Sequence, residues 1–461
     1  MRAVLTSLVF LMLCLLDIVP AAAQTSGADT TQVAAVPLTR AQKRELALMN
    51  NLHSQQADVR ISAYRTLSAR RDSATLALLS EALVSEQDAA AKEVADMALQ
   101  KVLLFVGTSG QQYDAIQKLG ELPIGEGLPL LQEYVGVPAL DPGCEVAARN
   151  AIKALEHKQK NIDGIQNIFS GLSLGSILIL VALGLSIIYG LAHIINMAHG
   201  EFMMIGAYTT YCMQLLFQEF LPASWFDAAW FLSLPISFAV SALFGLAIER
   251  LVIRHLYSRP LESLLATWGI SLILIQLART IFGDLTTVKS PLCLSGGITF
   301  DNGIVLPYNR LFIMALTAIV FLGVMLVFQK TRLGMKIRAV TQNRNMAACV
   351  GISTKRIDML TFAIGSGLAG LAGCAITLIG NVVPDMGQTY IVDSFIVVVT
   401  GGVGKLFGCV VSGLGIGILS KIFESMFEAV YGKVLILLFV IIFLQKRPQG
   451  LFRDKGRVAE D

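Results

Sequence analysis

The sequence predicts an all-α, polytopic membrane helical bundle of about eight spans with broken or re-entrant helices, preceded by a signal peptide and an exported helical domain of HEAT-like or bundle type. Three observations carry this. Of 461 residues, 54% are hydrophobic and 15% charged, against about 25% charged in soluble domains, which excludes a soluble enzyme as the whole answer. From about residue 165 onward, apolar runs recur at the length that crosses a hydrocarbon core about 30 Å thick. Residues 40 to 160 are instead charged, alanine-rich and helix-forming.

Taken in order, Arg2 precedes an apolar run from Val4 to Leu16, and Pro20-Ala21-Ala22-Ala23-Gln24 follows. That is the basic start, apolar centre and small-residue cleavage site of a secretory signal. Residues 1–23 are the expected signal peptide, 24–39 a flexible leader and 40–163 a periplasmic helical domain. Within this domain the stretches 59–67, 94–102 and 146–155 look alike, with small or apolar residues at i, i+4 and i+8. This is the period of a helix that buries one stripe, and stacked repeats or an ordinary bundle would both satisfy it.

The membrane half, 164–446, gives spans at 168–191, 202–218, 229–249, 264–282, 311–329, 357–380, 391–423 and 432–444, followed by a tail at 447–461. The seventh is too long for one pass and holds a glycine-rich break. Basic residues concentrate in three places: Arg250, Arg254 and Arg259; the loop 330–356; and the tail. Basic loops are retained on the cytoplasmic side, so these are cytoplasmic, and alternation of the spans puts the N-terminal domain outside. Lys153, Lys158 and Lys160 on the outer side run against the rule.

Chemistry of the usual enzymatic kinds is missing. The seven cysteines form no CxxC and no cluster with histidine, and no GxSxG, HExxH or phosphate loop occurs. Gly404-Lys405 is followed by Leu406, so the chain cannot hydrolyse ATP by the phosphate-loop route. Ionisable residues within the spans are few, chiefly His199, Glu201, Arg279 and Lys405, which counts against an ion-coupled carrier. A net charge of +3 gives no nucleic-acid footprint, and no metal site or cofactor is signalled.

Three segments carry what function the residues show. Asn196, His199 and Glu201 lie in a small, polar stretch between the first two spans. It reads either as a broken helix beside a translocation path or as a short turn whose polar groups start a helix. Gly401, Gly402 and Gly404 read as a break between half-helices, followed by small residues that permit close packing. The loop 330–356 carries Arg338, Ala339, Asn345, Ala347, Ala348 and Gly351. A short basic helix stopped by glycine would serve as a lever, though a solvated topogenic loop has the same pattern.

Together, the stretch from Ile195 to Tyr208, the loop from Arg338 to Ile352 and the run from Leu360 to Gly373 resemble the permease subunits of branched-chain-amino-acid-type ABC transporters. Within that family, the stretch from Tyr390 to Gly408 and the exported extension are similar to the urea-transporter permeases of Gram-negative bacteria. The resemblance implies a heteromeric importer: a second related permease subunit, two cytoplasmic ATPases that bind the ATP, and a periplasmic solute-binding protein. It also implies that 338–351 holds the helix seated on the ATPase and that 196–201 lies beside the substrate route.

The expected function is thus the permease of an ATP-driven importer for urea or short-chain amides. A branched-chain amino acid permease is the alternative of the same family. A membrane-anchored sensor or scaffold with an exported docking domain is the alternative of another class.

Overall fold

The computed structural model describes residues 47–452, apart from 138–140, 193–195, 221, 223–225, 257–258 and 301–302. The expected signal peptide and leader, and the tail beyond Phe452, lie outside the described residues. The chain divides into two compact units, Met1–Gln111 and Gln112–Asp461.

In the first unit, α1 (Ala57–Leu67), α2 (Ser73–Ser85) and α3 (Ala89–Val106) pack around Tyr64, Leu67, Leu79, Ala91, Ala95 and Val102. Asp72 and Asp88 cap α2 and α3, accepting from the backbone N–H of Thr75 and Ala91, which satisfies helix-start donors that would otherwise be orphaned. Two of the three look-alike stretches lie on α1 and α3. Where α2 gives way to α3, Glu86 accepts from Arg60 Nε at 2.9 Å and Nη2 at 2.7 Å, and from the Tyr64 hydroxyl at 2.8 Å. The Arg60 hydrogen bonds hold its carboxyl down at about 2, while burial pushes the Tyr64 phenol up to about 12.

The unit division falls within α4 (Ser109–Glu121), and α5 (Ile124–Val135) follows. Then α6 (Pro142–Ala192) runs for 51 residues. The third look-alike stretch is the start of α6, and the domain boundary expected at 163/164 falls inside this helix. Residues 156–170 contain no proline, and the helix runs unbroken through Gly164 between its polar and its apolar half.

Six helices among the described residues are long and apolar enough to cross a membrane, starting in the chain at Pro142, Phe226, Leu261, Tyr308, Thr354 and Leu406. These are α6, α8 (Phe226–Leu251), α9 (Pro260–Phe282), α10 (Tyr308–Lys330), α13 (Thr354–Ile376) and the first part of α15 (Leu406–Lys446). The expected span 202–218 is present as α7 (His199–Phe220), a full-length but more polar helix, and α14 (Met386–Gly401) is a shorter apolar one. A two-stranded hairpin departs from the all-α expectation: β1 (Gly297–Thr299) pairs antiparallel with β2 (Val305–Pro307).

At 41 residues, a straight α15 would be about 60 Å long. Yet Leu406 follows directly on the turn after α14, and Leu451 N–H donates to the Thr400 carbonyl at 2.8 Å. Both ends therefore lie at the same end of the bundle. A Cβ on Gly432 would stand 3.0 Å from the Glu424 nitrogen, so the chain reverses between these residues. The spans expected at 391–423 and 432–444 thus remain separate passes although helical backbone continues through the reversal.

The core is centred on α13, which packs against α6, α7 and α8. Small residues make that possible. A Cβ on Gly206 would collide with Gly370, one on Gly365 would meet the Gly184 carbonyl, and one on Gly175 would stand 2.7 Å from the Gly413 carbonyl oxygen. Without a hydrophobic driving force between helices in lipid, such close backbone packing is a principal source of association.

Candidate functional site

The stretch 196–201 forms a turn at the start of α7. Asn196 Oδ1 accepts the Ala198 N–H at 3.1 Å, the His199 N–H donates to the Asn196 carbonyl, and α7 begins at His199. From α9, Thr267 Oγ1 accepts the Met197 N–H at 3.2 Å. The two readings left open for this stretch combine: its polar groups start a helix, and they do so fully buried.

His199 faces inward. Its Nε2 lies 3.2 Å from the Val181 carbonyl oxygen, which makes Nε2 the protonated nitrogen, and its ring meets the Phe202 edge at a centroid distance of 5.9 Å. Glu201 is also buried; Oε1 accepts the Ser271 hydroxyl at 2.8 Å, while Oε2 has no hydrogen-bond partner. Oε2 lies over Gly387 of α14, where a Cβ would stand 2.8 Å from it.

Ser263, Thr267 and Ser271 are all buried and recur every four residues on α9. This polar stripe was missed by sequence reasoning; its signal was hydroxyl spacing inside an apolar run. A second stripe on α8 is spent on structure: Ser237 and Ser241 donate to the carbonyls of Gly206 and Phe202 at 3.0 Å each.

Gly401, Gly402 and Gly404 lie at the C-terminal end of α6, where a Cβ on Gly190 would stand 2.9 Å from the Gly404 Cα. They form the α14–α15 turn, with Gly402 at φ +100° and Gly404 at φ +75°. A groove of about 740 Å³ joins that turn to Arg338, Gln329, Phe452 and the last turns of α6. The turn therefore shares an end of the bundle with the basic loop and the tail. The expected break between helices is thus a tight glycine turn between α14 and α15.

The loop 330–356 folds as α11 (Arg332–Gln342) and α12 (Arg344–Cys349). Thr331 and Asn343 cap them through the N–H groups of Gly334 and Met346. Arg338 donates to the Phe328 carbonyl, which ties α11 back to α10. Gly351, at φ +84°, ends α12, its N–H donating to the Ala348 carbonyl while that of Ile352 donates to Ala347. Only glycine takes such a helix-ending conformation without strain. Ala347 is buried with Ile337, Val340 and Ile357; Ala339 is half-buried; Asn345, Ala348, Met346 and Val350 are exposed. Arg344 pairs with buried Asp358 of α13, which fixes the short helix to a core helix.

The fold is that of a multi-pass helical membrane protein, with a buried polar turn at the start of α7 and a capped, glycine-stopped helix in the basic loop. The family model described as "Branched-chain amino acid transport system / permease component" matches residues 167–444, and the chain belongs to that family. It is 30% identical over 297 residues to the high-affinity branched-chain amino acid transport system permease protein BraD of Pseudomonas aeruginosa, covering 62% of this chain and 95% of the relative. It is 28% identical over 295 residues to LivH of Salmonella typhimurium, covering 62% and 94%. Against LivM of Escherichia coli it is 28% identical over 302 residues, covering 60% and 68%. No solved structure matches the chain. The chain is thus a multi-pass membrane permease component and not itself a catalyst.

Proposed function

We propose that this permease component serves an ATP-driven, binding-protein-dependent importer whose cargo is a small neutral amide, urea or a short-chain amide. One observation carries the choice of cargo. The buried polar side chains of the described spans are hydroxyls, amides, acids and the His199 imidazole, Asn196, Glu201, Ser263, Thr267 and Ser271 among them, with no lysine or arginine. Such a set hydrogen-bonds a neutral amide and offers no side-chain cation to the carboxylate of an amino acid. The similarity of Tyr390 to Gly408 and of the N-terminal extension to urea permeases agrees with it.

Branched-chain amino acids are the second reading, favoured by the printed names of the relatives. In either case the chain works with a second, LivM-like permease, two ATPases and a solute-binding protein. The ATPases seat on the face bearing α12, which is then cytoplasmic. Asn196, Glu201 and the α9 stripe line the route.

The test is uptake by vesicles that hold the complete importer. ATP-coupled urea or short-amide uptake, without competition by leucine, supports the first cargo. Leucine uptake unaffected by urea overturns it in favour of the second. Inert vesicles, together with lost partner binding when 24–160 is deleted, would favour a sensor or scaffold.

A further inference from the structure

At the inner end of α6, beside the starts of α7 and α9 and the middle of α14, lies a cavity of about 270 Å³. That is near the lower bound of small-molecule sites, about 300 Å³. Leu185, Leu264, Ile391, Val392 and Phe395 give it an almost wholly apolar wall. Asn196 also lines it, and is only 1% exposed. The amide orientation is settled by its neighbour, because Oδ1 accepts the Ala198 N–H. That leaves Nδ2, which has no partner among the described residues. A buried donor left unpaired is costly, and native structures rarely tolerate one without a ligand or water to satisfy it.

From this juxtaposition we infer that the cavity is a binding site for a small branched aliphatic carbonyl compound, a primary amide of a branched short-chain acid being the best fit. Its carbonyl oxygen accepts from Asn196 Nδ2, its alkyl group packs on the leucine, isoleucine and phenylalanine side chains, and its amino group is directed to the open side of the cavity. Urea fits poorly, since it has no alkyl group to cover the wall and its N–H donors would face hydrocarbon. A lipid acyl chain would cover the wall but leave Nδ2 unpaired. This inference rests on the reading that the cargo is a small neutral amide, and it narrows that class towards its branched aliphatic members.

The experiment is titration of the full-length protein in nanodiscs with 3-methylbutanamide, urea and L-valine, followed by ligand-observed NMR. The expected result is saturable binding of 3-methylbutanamide at least tenfold tighter than either competitor. Asn196→Asp keeps the acceptor for Ala198 and removes the donor, so it should weaken binding tenfold or more. Val392→Trp, at a half-exposed wall position, should abolish binding with an unchanged melting temperature. Equal binding of urea, tighter binding of L-valine, no saturable binding, or binding indifferent to Asn196→Asp would each overturn the site. The same preparations, reconstituted with ATPase and binding protein, separate the two levels. Amide uptake without binding at this cavity defeats only the inference, whereas binding without uptake of any amide defeats the proposed cargo.

Discussion

Gly373 of α13 lies directly against the backbone carbonyl of Met203 on α7, closer than any Cβ could be accommodated. The obstructing atom is backbone and cannot rotate away, so the two helices meet only because this position lacks a side chain.

Gly373→Ala is therefore expected to force α7 and α13 apart. Overpacking of this kind costs about 1–3 kcal/mol, and more where backbone must move. Gly269, where an added Cβ meets nothing within 4 Å, is the control. Thermal unfolding in detergent should show a lower midpoint for Gly373→Ala and little change for Gly269→Ala. Equal midpoints would contradict the close packing.

The basic loop, proposed to seat on the ATPase, gives a second expectation. Ala347 and Ala348 are adjacent small residues of the segment that the resemblance seats on the ATPase. The structure separates them: Ala347 is buried against Ile337 and Ile357, while Ala348 is exposed beside Met346 and Val350. Ala348→Glu should leave the protein folded and lower uptake per ATP hydrolysed several-fold. Ala347→Glu should instead destabilise the loop itself, by roughly 2–4 kcal/mol for a buried charge without a partner. The ATPase-to-uptake ratio and the trypsin sensitivity of residues 332–352 tell these apart.

Arg344 and Asp358 supply a third. Asp358 is almost fully buried and Arg344 partly exposed, so removing the arginine strands a buried carboxylate, whereas replacing both relieves it. Arg344→Ala should lower thermal stability and proteolytic resistance of the loop more than the Arg344→Ala, Asp358→Asn double variant does. Additive losses in that pair of measurements would mean the ion pair does not anchor α12 to α13.

How far sequence reasoning reached depended on the range of the forces involved. Long apolar runs report spans locally, so α6, α8, α9 and α10 were legible, as was the turn after Gly401. Ala347 was not distinguished from Ala348, because burial within a six-residue helix depends on α11 and α13, which are distant in sequence. The boundary expected at 163/164 lies inside a continuous helix: composition changes there, but backbone hydrogen bonding does not. Of the candidate site, Asn196, His199 and Glu201 were found through their polarity in an apolar context. Ser271, Thr267 and Gly387 were missed because each matters only through what α9 and α14 bring next to Met197 and Glu201.

A fourth expectation concerns acid. Glu86 gathers Arg60 and Tyr64 where α2 meets α3, and the Arg60 hydrogen bonds lower its carboxyl from the ordinary 4.5 to about 2. A carboxylate whose folded value is depressed binds fewer protons folded than unfolded, so it contributes stability above its unfolded value. That contribution is complete above about pH 4.5 and is lost as pH falls towards about 2. Hydrogen exchange on the full-length protein should therefore show protection of amides in α1 and α3 declining across this window, ahead of those in α13. Glu86→Gln keeps the shape but removes the charge that Arg60 recognises, so it should reduce protection already at pH 7 and flatten the decline below pH 4.5. If wild type and Glu86→Gln lose protection in parallel over the same interval, the acid response comes from another group, and the Arg60–Glu86–Tyr64 cluster contributes no pH-dependent stability to this unit.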